Sequence, residues 1–205
     1  MEVYSNEQEQ TAALRNFFTG NGKALAAGLV IGIAALGGWR IWVSHQESNA
    51  LETSARYQQL SEAMNADKPE TLDALAAFVN QTHGSYGALA AMNLAKVYVD
   101  GGHLDKATQQ LEQGLKDSDD ANLQAVMRLR LARLQLQQNH PDDALKTLDS
   151  IKGDGWTALM ADIRGEALLS KGDKQGARAA WSKGIDSDAS PAMKQMMQMK
   201  LNNLS

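Results

Sequence analysis

Cysteine is absent from the chain, which excludes a disulfide framework, a thiolate nucleophile and any Cys-ligated metal. Proline is scarce, with three residues, and aromatics make up 5% of the chain against 43% hydrophobic residues overall. That balance favours helices over strands, which draw on β-branched and aromatic side chains. Positive charge is not in surplus either: 20 Lys and Arg stand against 24 Asp and Glu, a net charge of −4. The basic residues are dispersed rather than gathered on one stripe, so phosphate neutralisation has no footprint and nucleic acid is excluded as a partner. At 205 residues the chain has room for one sizeable domain and an appendage.

Catalytic and ligand-binding motifs are missing as well. His45, His83, His103 and His140 lie in separate segments, none at metal-ligand spacing from another. His103 and His140 occupy equivalent turns and read as exposed turn residues. Asp117, Asp119 and Asp120 begin like a calcium loop, but Ala121 stands where a ligand is needed and Asn122 where the sharp turn needs glycine. Residues 83–87, HGSYG, are not the G-x-S-x-G elbow, and Gly20-Asn21-Gly22-Lys23 lacks the spacing and the hydroxyl of a phosphate loop. The expectation is a protein that is no enzyme and carries no cofactor and no metal.

One long hydrophobic run is present. Residues 24–39, ALAAGLVIGIAALGGW, carry no charge, and residues 24–43 form an apolar stretch interrupted only by Arg40. About twenty residues at roughly 1.5 Å each suit a hydrocarbon core about 30 Å thick. Arg40 sits one turn from the end, where its stem can carry the guanidinium to the headgroups between Trp39 and Trp42. A cleaved signal peptide would need a short basic start and a small-residue cleavage site, whereas polar residues precede this run and Arg40-Ile41-Trp42-Val43 follow it. A buried core helix would need more surrounding protein than remains. The run reads as an uncleaved single-pass anchor in contact with membrane lipid. Arg15 and Lys23 before it, against Arg40 and Arg56, barely favour a cytoplasmic N-terminus. Ala24, Gly28 and Gly32 recur every four residues and would let a second membrane helix approach closely. Ahead of the run, Ala13, Leu14, Phe17 and Phe18 share one side of a short helix that Gly20-Asn21-Gly22 would end, a strip suited to lying on a membrane.

Beyond the anchor the chain repeats itself. Small residues recur twelve apart in three places: Ala95 with Ala107, Ala132 with Ala144, and Gly165 with Ala177. Leu111, Leu148 and Trp181 follow the second members, and then Gly114, Ile151 and Gly184. A turn signal separates the members each time: Gly101-Gly102, Asn139-His140-Pro141 and Gly172-Asp173. This is a helix-turn-helix repeat, with small residues where helices approach most closely, and its spacing resembles the tetratricopeptide repeat. It departs from that pattern too: Gln135 and Leu168 stand where the first unit has Tyr98, the first helices lack the usual Trp, and the units step by 37 and then 33 residues.

The fold class expected is all-α: a transmembrane helix, then a repeat domain of the tetratricopeptide type, then a capping helix. Residues 1–23 form a short segment, 24–43 the anchor, and 44–205 the repeat domain, with units near 88–121, 125–158 and 158–191. Residues 44–64 and 71–80 read as a degenerate first helix pair broken at Lys68-Pro69. Pro191 opens a last helix with Met193, Met196, Met197, Lys200 and Leu204 on one side, suited to capping the stack, while Met197 and Met199 cannot both face inward with Met193.

Several longer stretches carry a family resemblance: Phe17-Phe18, NGKALA at 21–26, GWR at 38–40, IKG at 151–153 with Gly155-Trp156, RGEALLSKGDKQGAR at 164–178, and MMQMK at 196–200. Together they resemble the YfgM family of ancillary subunits of the bacterial SecYEG translocon, over nearly the whole chain. The resemblance implies a bacterial inner-membrane protein with a cytoplasmic N-terminus and a periplasmic repeat domain. It implies association with the translocon and with the membrane-anchored chaperone PpiD, and a part in passing translocated client proteins to periplasmic chaperones. The residues alone leave open a membrane-tethered scaffold or regulator of another inner-membrane complex.

Overall fold

The structure is a computed structural model that describes the backbone of residues 3–204, and their side chains except at 3–10, 12–14, 16–18, 25 and 46–48. Among the described residues nine α-helices follow in order: α1 Val3–Ala63, α2 Pro69–Gln81, α3 Ser85–Asp100, α4 Leu104–Asp117, α5 Ala121–Gln137, α6 Pro141–Asp149, α7 Thr157–Ser170, α8 Lys174–Asp186 and α9 Pro191–Asn202. A short 3-10 turn, Asp154–Trp156, precedes α7, and no strand occurs among the described residues. The fold is all-α. The chain divides into two compact units, Met1–Glu52 and Thr53–Ser205.

The N-terminal unit is helical throughout its described backbone, and one correction belongs here: the helix does not stop at Gly20-Asn21-Gly22. Glycine inside a helix costs about 1 kcal/mol relative to alanine but ends it only where the backbone turns left-handed. Neither Gly20 nor Gly22 has positive φ, so α1 runs on. The side chains of the expected membrane-surface strip, Ala13, Leu14, Phe17 and Phe18, lie outside the described residues. From Thr19 onward α1 is long and apolar enough to cross a membrane, with an 18-residue window of mean hydropathy 1.7, none of it buried. Leu29, Ile31, Leu36 and Ile41 stand well exposed, and the Trp39 and Trp42 rings lie 5.4 Å apart at its end.

The repeat unit is an array of helix pairs whose turns share one geometry. Gly102, Asn139 and Gly172 take φ of 77°, 63° and 81°, the left-handed conformation that stops a helix. The next amide in each case reaches back to the same carbonyl: His103 N–H to Tyr98 O at 2.7 Å, His140 to Gln135 at 2.8 Å, and Asp173 to Leu168 at 2.9 Å. Helix starts are equally explicit. All three prolines sit in the first turn of a helix, where no backbone donor is lost. Asp120, Asp173 and Ser190 accept hydrogen bonds from first-turn amides.

The core lies between helices, at small residues. Ala107, Ala132, Ala144 and Ala177 are fully buried and Ala95 nearly so. Gly165 lies against Trp181, where a Cβ would overlap the indole ring. Trp181 is buried and donates its ring N–H to the Asp162 carbonyl at 3.1 Å. Gly114 meets the Met127 sulfur and Ala91 as Gly184 meets the Met197 sulfur and Ala161, the same contact two repeats on. So α9 takes the place of the first helix of a further unit. Met197 is buried and Met199 exposed.

The middle unit differs. Ile151 stands in sequence register with Gly114 and Gly184, but α6 is nine residues long and ends before it. Ile151 is buried from the segment that follows, and Gly153, at φ 97°, turns the chain into the 3-10 turn. At the array's start, Tyr57 and Leu60 of α1 pack with Leu75, Phe78 and Leu94, and the Tyr57 hydroxyl accepts a hydrogen bond from Asn93 at 2.9 Å.

Candidate partner-binding surface

The first helices of successive units lie side by side, α5 touching both α3 and α7. Between α3 and α5 opens a groove of about 340 Å³. Met92, Leu111 and Leu134 form its floor, with half-buried Val99 beside them. Its rim is cationic: Lys96, Arg130 and Arg133 line it together with Gln137, and no carboxylate does. Lys96 Nζ lies 2.6 Å from Asp100 Oδ2, one turn along α3. Arg133 is 3.8 Å from Asp162, and no ion-pair partner of Arg130 occurs among the described residues. Arg130 and Arg133 are three apart on one helix face, a like-charge spacing that costs an isolated helix about 0.2–0.5 kcal/mol. An anion seated in the groove would relieve it.

A second polar cluster lies toward α9. Asp162 is 2% exposed and accepts a hydrogen bond from Lys200 Nζ at 2.5 Å, while Glu166 accepts another from the same ammonium at 2.6 Å. Burial alone would pull the Lys200 ammonium down, but the bonds from Asp162 and Glu166 and their charges outweigh it, so its pKa is held above the ordinary lysine value. Lys200 also stands 5.9 Å from the Trp181 ring centroid. These contacts fasten α9 to α7 and α8, and they leave the cluster occupied by its own members.

Neither cluster was singled out from the sequence. The repeat register would have found part of the first, because Lys96 and Arg133 each directly follow the small residue of their helix, Ala95 and Ala132. The charge change at the next equivalent position, Glu166, marks where the surface turns from cationic to mixed.

The residues that the sequence did single out have other places. Ala24, Gly28 and Gly32 are exposed on α1, and a Cβ at Gly28 or Gly32 would meet nothing within 4 Å. Of the repeat residues, Ala95 is nearly buried and lines the groove, while Ala107, Ala132, Ala144, Gly165 and Ala177 are interior. His103 and His140 border one open depression at the turns with Asp105, Lys106 and Gln138. His83 Nδ1 lies 2.9 Å from Asp117 Oδ1, and Asp117 also accepts a hydrogen bond from Gln113. Asp120 caps α5, accepting from the Asn122 and Leu123 amides. Among the described residues no three His, Asp or Glu side chains gather as a metal site.

No solved structure matches the chain. Residues 15–205 match the tetratricopeptide repeat-like domain family. Relatives named ancillary SecYEG translocon subunit include one from Escherichia coli strain K12, 54% identical over the whole of both chains. Others are from Haemophilus influenzae, 32% identical, and Aggregatibacter actinomycetemcomitans, 31% identical, each match spanning 98% of this chain and all of the relative. The similarity covers both the apolar helix and the repeat unit, and on that ground the chain belongs to the family of ancillary SecYEG translocon subunits.

Proposed function

We propose that the chain is a non-enzymatic, protein-binding accessory subunit of the Sec translocon. Residues 24–43 anchor it in the bacterial inner membrane, with residues 1–23 in the cytoplasm and the repeat array in the periplasm. There it associates with the chaperone PpiD and helps pass translocated proteins to periplasmic chaperones. The observation that carries this reading is the 54% identity, over the full length of both chains, to the E. coli protein named an ancillary SecYEG translocon subunit. Two features support it: α1 is exposed and apolar over a membrane-spanning length, and the array offers a groove between α3 and α5.

The reading divides the labour between the units. A helical array presents a preformed surface to a protein partner, while a membrane helix confines the chain and its partners to one bilayer and so raises their effective concentration. Ala24, Gly28 and Gly32 are the positions along which a partner's membrane helix would pack.

Affinity purification of the intact chain from gently solubilised membranes tests the assignment. SecY and PpiD are expected in the eluate. Their absence, with subunits of some other membrane complex recovered instead, would make the chain a scaffold for that complex. Orientation is tested separately: protease added to intact spheroplasts should digest the array, and protection until lysis would reverse the topology.

A further inference from the structure

We infer that the pocket formed by α2, the end of α3 and the start of α4 binds a free α-amino acid with an aliphatic side chain, its ammonium toward Asp73 and its carboxylate toward Lys106. The pocket holds about 240 Å³ at the turn end of the first unit and shares no lining residue with the groove between α3 and α5. Part of its lining is aliphatic: Ala66, Pro69 and Leu72 at the start of α2, and Val97 of α3. The rest is polar and gathers about Tyr98. Lys106 Nζ stands 5.5 Å from the Tyr98 ring centroid, and the His103 ring meets the same ring edge-on at 6.5 Å. Burial raises the Tyr98 pKa and the charge of Asp73 raises it further, so Asp73 belongs to the same cluster.

The members of this cluster are not used up on one another. Asp73 and Lys106 carry opposite charges and line one pocket, yet they form no ion pair together, and neither has another ionic partner among the described residues. The Tyr98 hydroxyl and the His103 ring make no hydrogen bond there either. Elsewhere in the array opposite charges that meet do pair: Arg164 with Asp149, Lys171 with Asp142, and Lys200 with Asp162 and Glu166. A ligand that satisfies both Asp73 and Lys106 must bring a cation and an anion together, and an α-amino acid carries the two on one carbon. Tyr98 and His103 can donate further hydrogen bonds to its carboxylate. The aliphatic lining suits an apolar side chain, and the volume lies below the roughly 300–1,000 Å³ of larger ligand sites, which fits a ligand of this size. The site is also held before a ligand arrives: Pro69 fixes the first turn of α2, and the His103 amide is bonded to the Tyr98 carbonyl at 2.7 Å.

The test uses the full chain in detergent at neutral pH, titrated calorimetrically with L-leucine, leucinamide and N-acetyl-leucine. Leucine should bind saturably, with Kd near or below about 1 mM. Leucinamide keeps the ammonium, as an N-terminal residue does, and N-acetyl-leucine keeps the carboxylate, as a C-terminal residue does. Each should bind about tenfold more weakly, the loss expected when one charge-assisted contact is removed. Asp73→Asn should erase the advantage of leucine over N-acetyl-leucine, and Lys106→Gln its advantage over leucinamide. Both residues are exposed, so the melting temperature should hold. If a variant fails to fold, the ranking of the ligands on the native chain decides the matter. No saturable binding of leucine by the native chain, equal binding of either blocked ligand, or a ranking that survives both substitutions overturns the site. None of these outcomes touches the recovery of SecY and PpiD with the native chain, so the site can fall while the proposed function stands.

Discussion

A Cβ added at Gly28 or Gly32 of the N-terminal unit would meet no other atom within 4 Å, whereas one added at Gly165 of the repeat unit would run into the Trp181 indole. Both units are rich in alanine and glycine at regular helical spacing, yet small residues are consumed inside the array and left open on α1. The difference separates two ways of meeting a partner. On α1 the small residues are part of the available surface, beside exposed Leu29, Ile31 and Leu36, and fit for lipid or a close-packed helix. In the array they bring helices together, and what faces outward is the longer side chains between them, including Lys96, Arg130 and Arg133.

The sharpest way to break this contrast is to enlarge one small residue in each unit. Ala132→Trp should exceed the roughly 1–3 kcal/mol of ordinary core overpacking and abolish cooperative melting of the array, because Ala132 is fully enclosed between α5 and its neighbours. Gly32→Ala should leave the melting curve unchanged. Thermal unfolding by circular dichroism of the full chain in detergent checks both. A wild-type curve for Ala132→Trp would contradict the packing register.

A smaller effect is expected where α9 is fastened. Lys200→Met leaves Asp162 buried with only the distant Arg133, and should destabilise the array by about 1–3 kcal/mol, below the cost of a fully enclosed pair because Lys200 reaches solvent. The same contact predicts an alkaline limb in stability. A lysine whose folded pKa is raised contributes fully below the ordinary value of about 10.4 and loses that contribution as pH rises through the folded value. Melting followed from neutral to strongly alkaline pH should therefore show a larger loss in the native chain than in Lys200→Met, which keeps only the loss from Tyr98, whose pKa burial and Asp73 also raise. The smallest effect belongs to Met199, which is 55% exposed at the array's end: Met199→Gln should change stability by less than about 0.5 kcal/mol in the same assay.

Much of the array was legible in the sequence, for a physical reason. Its turns need a left-handed residue, its helix starts tolerate proline, and its helix contacts need small side chains, so Gly102, Asn139, Gly172, Pro69, Pro141 and Pro191 mark the element boundaries directly. Two places were harder. Gly20 and Gly22 look like a stop, but glycine is a stop only when the following packing draws it left-handed, and sequence does not record φ. Ile151 looks like the counterpart of Gly114, yet the shorter α6 displaces it from the helix, because spacing alone cannot distinguish a helical residue from one that reaches the core from a loop.

The candidate groove was less visible. Lys96 and Arg133 match in register but belong to different units, while Arg130 joins them only through the turn of α5. The Lys200, Asp162 and Glu166 cluster joins residues far apart in the chain, which local periodicity does not connect.

The account places partner recognition in the array and confinement in the anchor. It is tested most directly by exchanging residues 24–43 for an unrelated membrane helix and, separately, removing residues 85–205, then quantifying SecY and PpiD recovered with each chain at matched expression. Recovery that falls but persists with the foreign helix, and vanishes without the array, is the predicted result. Full recovery by the anchor alone, with the repeats dispensable, would contradict the account and make the face of Ala24, Gly28 and Gly32 the binding site.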